Sequence, residues 1–259
     1  MRLAGAAEMP LEKLDEPLAQ AINYATSHQG FYAQAGLWFN PPVAVELSAG
    51  AAVAVQVTER IVEVPFAMAA LSRVEPGARV LDIGSAESTF PLSAASLGYR
   101  VTAVDPRPLA YSHPNLESYA VLLEDWAAPP ASFDAAFLIS TIEHIGLGAY
   151  GERPYGEAEH GVGADADLLA RVRAALSPEG LLVLTVPYGM RDRTDLERIY
   201  DEESLAKLLA DWEILQRRTA VRRDALVWDV GDDVEPGGRG VVMVIASPRR
   251  AADPTNSQP

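Results

Sequence analysis

LDIGSAESTF, residues 81–90, closes a short apolar run and opens a helical stretch, and the reading of this turn decides the fold. A G-x-G-x-x-G phosphate loop would carry glycine at three spaced positions. Here only Gly84 is present, with Ala86 and Thr89 at the other two, and an acid, Asp82, stands just ahead of the turn. Outward from the turn, apolar runs alternate with amphipathic ones: RVLDIG, PLSAASLG, RVTAVD, FDAAFLIS, DADLLARVRAAL and GLLVLTVP. Such alternation predicts parallel strands covered by helices on both faces. WEILQRRTAV and VVMVIAS, joined by DVGDDVEPGGRG without a helix, predict an antiparallel edge. The expected architecture is an α/β, doubly wound, mostly parallel seven-stranded sheet with an antiparallel edge strand and an N-terminal cap.

In such a sheet a ligand sits at the carboxyl ends of the strands. A pyrophosphate there would lie against Asp82 at a cost of about 1–4 kcal/mol. Asp82 suits a cationic or amine-bearing group instead. Gly84, Ser85 and Ala86 form the turn itself. Asp105, with Pro106 after it, ends the next strand about twenty residues on, the separation at which a carboxylate takes ribose hydroxyls. Glu124, Asp125 and Trp126 form a third acidic strand end, with Asp125 placed to accept from an adenine amino group and Trp126 or Ile83 against the ring. Ribose, adenine and a cationic amino-acid end without phosphate describe S-adenosylmethionine. Glu87 is either a further polar contact to that ligand or a solvent-facing turn residue.

The span from about Val80 to Pro187 resembles the class I S-adenosylmethionine-dependent methyltransferases. LDIGSAES stands at motif I, TAVD at motif II, EDW at the adenine motif and FDAAFLISTIEH at motif IV, followed by LSPEGLLVLTVP. The loop STIEHIGLGAYG resembles that of one branch of the family. Motif I departs from the family's glycine pattern at Ala86 and Ser88. The resemblance implies methyl transfer from S-adenosylmethionine, with Ser140 at the end of the fourth strand beside the cofactor.

For chemistry the candidates are His144 as general base and Glu143 as the residue that orients it. The alternative is that His144 only caps or holds its loop, and that Glu143 binds backbone. A metal is not expected. Some relatives bind one through E-x-x-E-H, but Ser140 replaces the first acid, and Glu143, His144 and His160 make a poorer set. Tyr150 and Tyr155 in the long glycine-rich loop, with Tyr188 and Arg191 after the fifth strand, are expected at a substrate pocket. His113 is a second base candidate there. Arg60 pairs either with the cofactor's carboxylate or within its own helix. Phe31, Tyr32, Trp38 and Phe39 are pocket-wall or plain core aromatics.

The 259 residues carry a formal net charge of −15, no cysteine and 49% apolar content. This acidity opposes nucleic acid, and the absence of cysteine excludes disulfides and thiolate chemistry. Neither a leader pattern nor a run long enough to span a membrane is present, so a cytoplasmic setting is expected. Three parts are expected: an N-terminal helical and hairpin cap over 1–70, a cofactor domain over 71–248 and a disordered tail over 249–259. The partner is a small-molecule methyl acceptor. The sulfur-bearing cofactor on a non-transferring protein, and a nicotinamide oxidoreductase, are the other functions that this sheet allows.

Overall fold

The computed structural model describes residues 10–37, 39–148, 163–232 and 240–249. An N-terminal part holds helices α1 (Glu16–Thr26) and α2 (Phe31–Gln34) and the hairpin β1 (Val43–Ser48) and β2 (Ala51–Val57). Helix α1 opens only after a break in the chain. Leu14 is extended, and Asp15 restarts the chain as an N-cap, accepting from Leu18 N at 2.9 Å. The hairpin turns at Ala49-Gly50 between the paired Ser48 and Ala51, with Gly50 at φ +68°. That conformation suits glycine.

The main sheet has eight strands in the order β11-β10-β12-β7-β6-β3-β4-β5. These are β3 (Arg79–Ile83), β4 (Arg100–Asp105), β5 (Leu116–Ala120), β6 (Phe133–Ile139), β7 (Leu176–Tyr188), β10 (Trp212–Arg222), β11 (Trp228–Gly231) and β12 (Gly240–Pro248). Strands β5-β4-β3-β6-β7 run parallel, and β12, β10 and β11 continue them antiparallel. The class is the expected one, but the count and the edge are corrected. Strand β11 folds back on β10 from within the segment read as a linker, through a turn closed by Arg223 N to Val227 O. The short pair β8 (Asp192–Arg193) and β9 (Arg198–Ile199) lies apart from this sheet.

The alternation of each central strand feeds two cores. Leu81, Ala136, Leu138, Leu182 and Leu184 pack with α5 (Ala164–Ala175) and α6 (Glu202–Leu208). Val80, Ala135, Phe137 and Val183 pack with α3 (Arg60–Ala70) and α4 (Phe90–Ser96). Strands buried on both faces need no polar stripe, which is why they read as nearly continuous apolar runs. The chain proceeds from β3 to β4 and β5 on one side, then to β6 and β7 on the other. That reversal opens a crevice at the carboxyl ends of β3, β4 and β6. Among the described residues no helix is long and apolar enough to cross a membrane.

Candidate active site

The turn after β3 is fixed by the protein itself. Gly84 has φ +76°, and its N–H donates to Val104 O at 2.9 Å. A Cβ there would lie 2.2 Å from Thr141 Oγ1, whose hydroxyl donates to Ile83 O at 3.0 Å. Gly84 is therefore required by the neighbouring strand end as well as by any ligand.

Two carboxylates meet at this turn. Asp82 is 2% exposed, and its Oδ2 has no hydrogen-bond partner among the described residues. Burial, and then the charge of Asp105, push its pKa up to about 8. Asp105 is also buried. Its Oδ2 accepts from Ala86 N at 3.0 Å, and its Oδ1 accepts from Arg107 N at 2.9 Å and Arg107 Nε at 3.1 Å. Arg107 also pairs with Glu87, a left-handed residue at φ +66°. Burial raises the Glu87 carboxyl and Arg107 opposes the rise.

The end of β6 builds the opposite wall. Ser140 sits at φ +44°, a conformation that costs a non-glycine residue about 1–3 kcal/mol. Its N–H donates to Thr185 Oγ1 at 3.0 Å, and its hydroxyl to Glu63 Oε1 at 2.7 Å. Glu63, fully buried on α3, accepts Arg60 Nη1 at 2.5 Å through its other oxygen. Of the two readings of Arg60, the intrahelical ion pair is present, and the same residue lines the cavity.

The turn Ile142–His144 follows. Arg198 Nη1 holds it by donating to Glu143 O at 3.2 Å and Ile145 O at 2.8 Å. His144 Nδ1 lies 2.6 Å from Leu196 O. A carbonyl only accepts, so Nδ1 carries a proton and donates it to Leu196 O. Nε2 is 3.7 Å from Glu143 Oε1, beyond hydrogen-bond length. Leu196 O thus holds Nδ1, and Glu143, the expected orienting residue, makes no hydrogen bond to the ring. Glu143 is 1% exposed, its Oε2 has no partner among the described residues, and burial holds its pKa well above the carboxylate range.

These elements enclose a cavity of about 240 Å³. Asp82, Gly84, Ala86, Asp105, Pro106, Ser140, Glu143 and His144 line it. Ser85 is buried and does not. Asp125 is exposed and Trp126 points elsewhere, packing against Tyr119 and Phe133 with ring centroids 6.2 Å away in each case. Arg171 turns this segment by donating to Leu123 O at 2.6 Å and Trp126 O at 2.5 Å. Val121, Leu122 and Leu123 face the cavity instead, while Glu124 contributes backbone to the turn.

Tyr188 also misses the cavity. Pro187 lines it, so the next side chain of the strand faces the other way, where Tyr188 donates to Glu202 Oε2 at 2.8 Å. Arg191 is exposed outside the cavity. His113 lies at the far end of the sheet. It bridges to Leu116, which pairs with Val101 at the start of β4, because a parallel strand begins only after the chain has run back. Phe31, Tyr32 and Phe39 are exposed and absent from the lining. Tyr150, Tyr155, His160 and Trp38 fall outside the described residues. Among the described residues no group of three or more His, Asp or Glu side chains could hold a metal ion.

Sequence reasoning had not singled out His28, Asn40, Glu59, Arg107 and Glu197, which all line the cavity. Asn40 N donates to Glu87 O at 3.1 Å and so ties the N-terminal part to the turn after β3. No periodicity or motif marks these residues. A carboxylate neighbour two positions away was the one available signal, for Arg107.

A family model described as a methyltransferase domain matches residues 57–228. No curated protein matches the sequence. The fold is similar to that of a Burkholderia thailandensis 1,6-didemethyltoxoflavin-N1-methyltransferase solved with its substrate and S-adenosylhomocysteine. Identity is 20%, the TM-score is 0.53, and 72% of this chain and 77% of that one are covered. The [4+2]-cyclase SpnF is similar at 14% identity and TM-score 0.52, covering 83% and 86%. The N-methyltransferase NodS from Bradyrhizobium japonicum, in complex with S-adenosylhomocysteine, is similar at 17% and 0.50, covering 74% and 88%. At these identities the likenesses speak for the fold.

Proposed function

The chain belongs to the methyltransferase-domain family, and from that premise we propose that it moves the methyl group of S-adenosylmethionine to a hydroxyl oxygen of a small molecule, such as a sugar, a glycolipid precursor or a secondary metabolite. The residues present fit that cofactor. The unpartnered buried oxygen of Asp82 suits its ammonium group. Asp105 would hold the ribose hydroxyls, with Gly84, Ala86 and Pro106 around them, and Val121, Leu122 and Leu123 offer an apolar face to adenine. When bound, S-adenosylmethionine supplies an electrophilic methyl group on a sulfonium centre.

The observation that carries the oxygen reading is His144. With Nδ1 committed to Leu196 O, Nε2 is the basic nitrogen at the carboxyl end of β6. It would take the proton of the acceptor hydroxyl as the oxygen bonds to carbon, a contribution of about 10²–10⁴-fold. Ser140 and Glu63 hold the backbone that presents it.

Labelled methyl transfer to a panel of hydroxylated acceptors tests this. His144→Asn should lower turnover by about 10²–10⁴-fold and leave S-adenosylhomocysteine affinity unchanged. Full turnover in His144→Asn would remove the base role. Tight cofactor binding with no transfer to any acceptor would favour a non-transferring role, and the cyclase among the similar folds makes that reading concrete. Binding of NADH in place of S-adenosylmethionine would overturn the cofactor assignment.

A further inference from the structure

Asp105 is the carboxylate at which the ribose of the cofactor belongs, and its acceptor positions are already taken by the protein. Oδ1 accepts from Arg107 N at 2.9 Å and from Arg107 Nε at 3.1 Å. Oδ2 accepts from Ala86 N at 3.0 Å and, at a longer 3.4 Å, from Arg107 Nη2. A carboxylate offers about four lone-pair positions. Here all are in use, two by backbone and two by one guanidinium. The side chain is buried, so water is no ready substitute for either kind of donor. The backbone donors belong to the turns after β3 and β4 and hold those turns in place. The guanidinium is the part that can move. Arg107 is partly exposed, lines the cavity, and pairs through Nη1 with a second carboxylate, that of Glu87.

We propose that the Arg107 guanidinium holds the two positions on Asp105 that the ribose hydroxyls take, and that cofactor binding exchanges one for the other. The count balances. Two N–H donors leave and two O–H donors arrive, so a buried carboxylate keeps its four partners throughout. Glu87 retains the released guanidinium at the edge of the cavity. The Glu87 carbonyl in turn accepts from Asn40 N at 3.1 Å, so the anchor also touches the N-terminal wall. Arg107 is thereby an internal competitor for the ribose. It sets how much of the hydroxyls' interaction with Asp105 appears as affinity. A ligand without the hydroxyls leaves the guanidinium where it is. The inference rests on the assignment of S-adenosylmethionine to this cavity.

The test compares S-adenosylhomocysteine with its 2′,3′-dideoxy analogue by calorimetric titration of the full chain. The two probes carry the same charges, so the ratio of their affinities reports the hydroxyls and not the charge removed with Arg107. In the wild type the ratio should be small, because contacts are traded and not gained. Arg107→Met, which keeps the stem and removes the donors, should raise the ratio about tenfold. Arg107→Ala should move it the same way. An unchanged or lowered ratio overturns the exchange and leaves the cofactor assignment standing. A wild type that binds no S-adenosylhomocysteine removes that assignment and the exchange with it. A crystal structure of the wild type with S-adenosylhomocysteine decides the point without a variant. Both ribose oxygens should lie on Asp105, with the guanidinium withdrawn to Glu87. A ribose seated beside a guanidinium still bonded to Asp105 Oδ1 overturns the exchange equally.

Discussion

A side chain on Gly84 would meet Thr141 Oγ1 at 2.2 Å, on backbone already at φ +76°. Gly84→Ala should therefore destabilise the protein by roughly 2–4 kcal/mol, from the left-handed conformation and overpacking together. Urea denaturation measures it, and adding Thr141→Ala should recover part of the loss. Asp82 makes a pH prediction. Its pKa is raised in the folded chain to about 8, against an ordinary value near 3.8. Between these values the folded state holds a proton that the unfolded state has lost, so stability contributed here falls as pH rises from about 4 to 8. Asp82→Asn should flatten that part of the profile. A cationic ligand requires the ionised form, so affinity for S-adenosylmethionine should rise by up to about tenfold per pH unit below pH 8. Titration calorimetry at pH 6, 7 and 8 would show it, and Asp82→Asn should remove the slope.

At the scale of the element, the turn Leu123–Asp125 is positioned by a side chain from another helix. Arg171 on α5 grips its carbonyls at Leu123 and Trp126. Arg171→Ala should free Trp126 from Phe133, disturb the apolar face of Val121–Leu123, and weaken cofactor affinity several-fold with a smaller change in urea midpoint. Equal losses in both would mean that the turn serves stability alone. The same turn shows what a sequence can convey. The nearly continuous apolar runs of β3, β4 and β6 mark their own limits and so bring Asp82, Asp105 and Ser140 to strand ends, because a strand buried on both faces stops where the first polar residues appear. A one-turn helix has no such run, so the direction of Trp126 depended on a contact 45 residues away. Strand β5 escaped notice because LESYA is an exposed edge with no apolar face, and β11 because it hides in a turn-rich segment. Nor was the N-terminal contribution of His28 and Asn40 legible, since isolated polar residues in loops carry no pattern.

The whole molecule is strongly acidic, and its cavity shares that character. Anisotropy with labelled duplex DNA at about 0.1 M salt should show no binding, because few phosphates could be neutralised; saturable binding there would revise the choice of a small acceptor. Electrostatics also favours arrival of cations over anions at the site. The N-terminal part brings His28 and Asn40 to the cavity wall, yet among its described residues only Leu14 and Ala19 are buried apolar side chains before α3. So little burial makes this wall cheap to open. Ligands would then enter and leave at the rate at which residues 10–48 detach and return. The residence time of the cofactor should follow amide exchange in that segment, slowing and quickening with it while equilibrium affinity answers to Asp82 and Asp105.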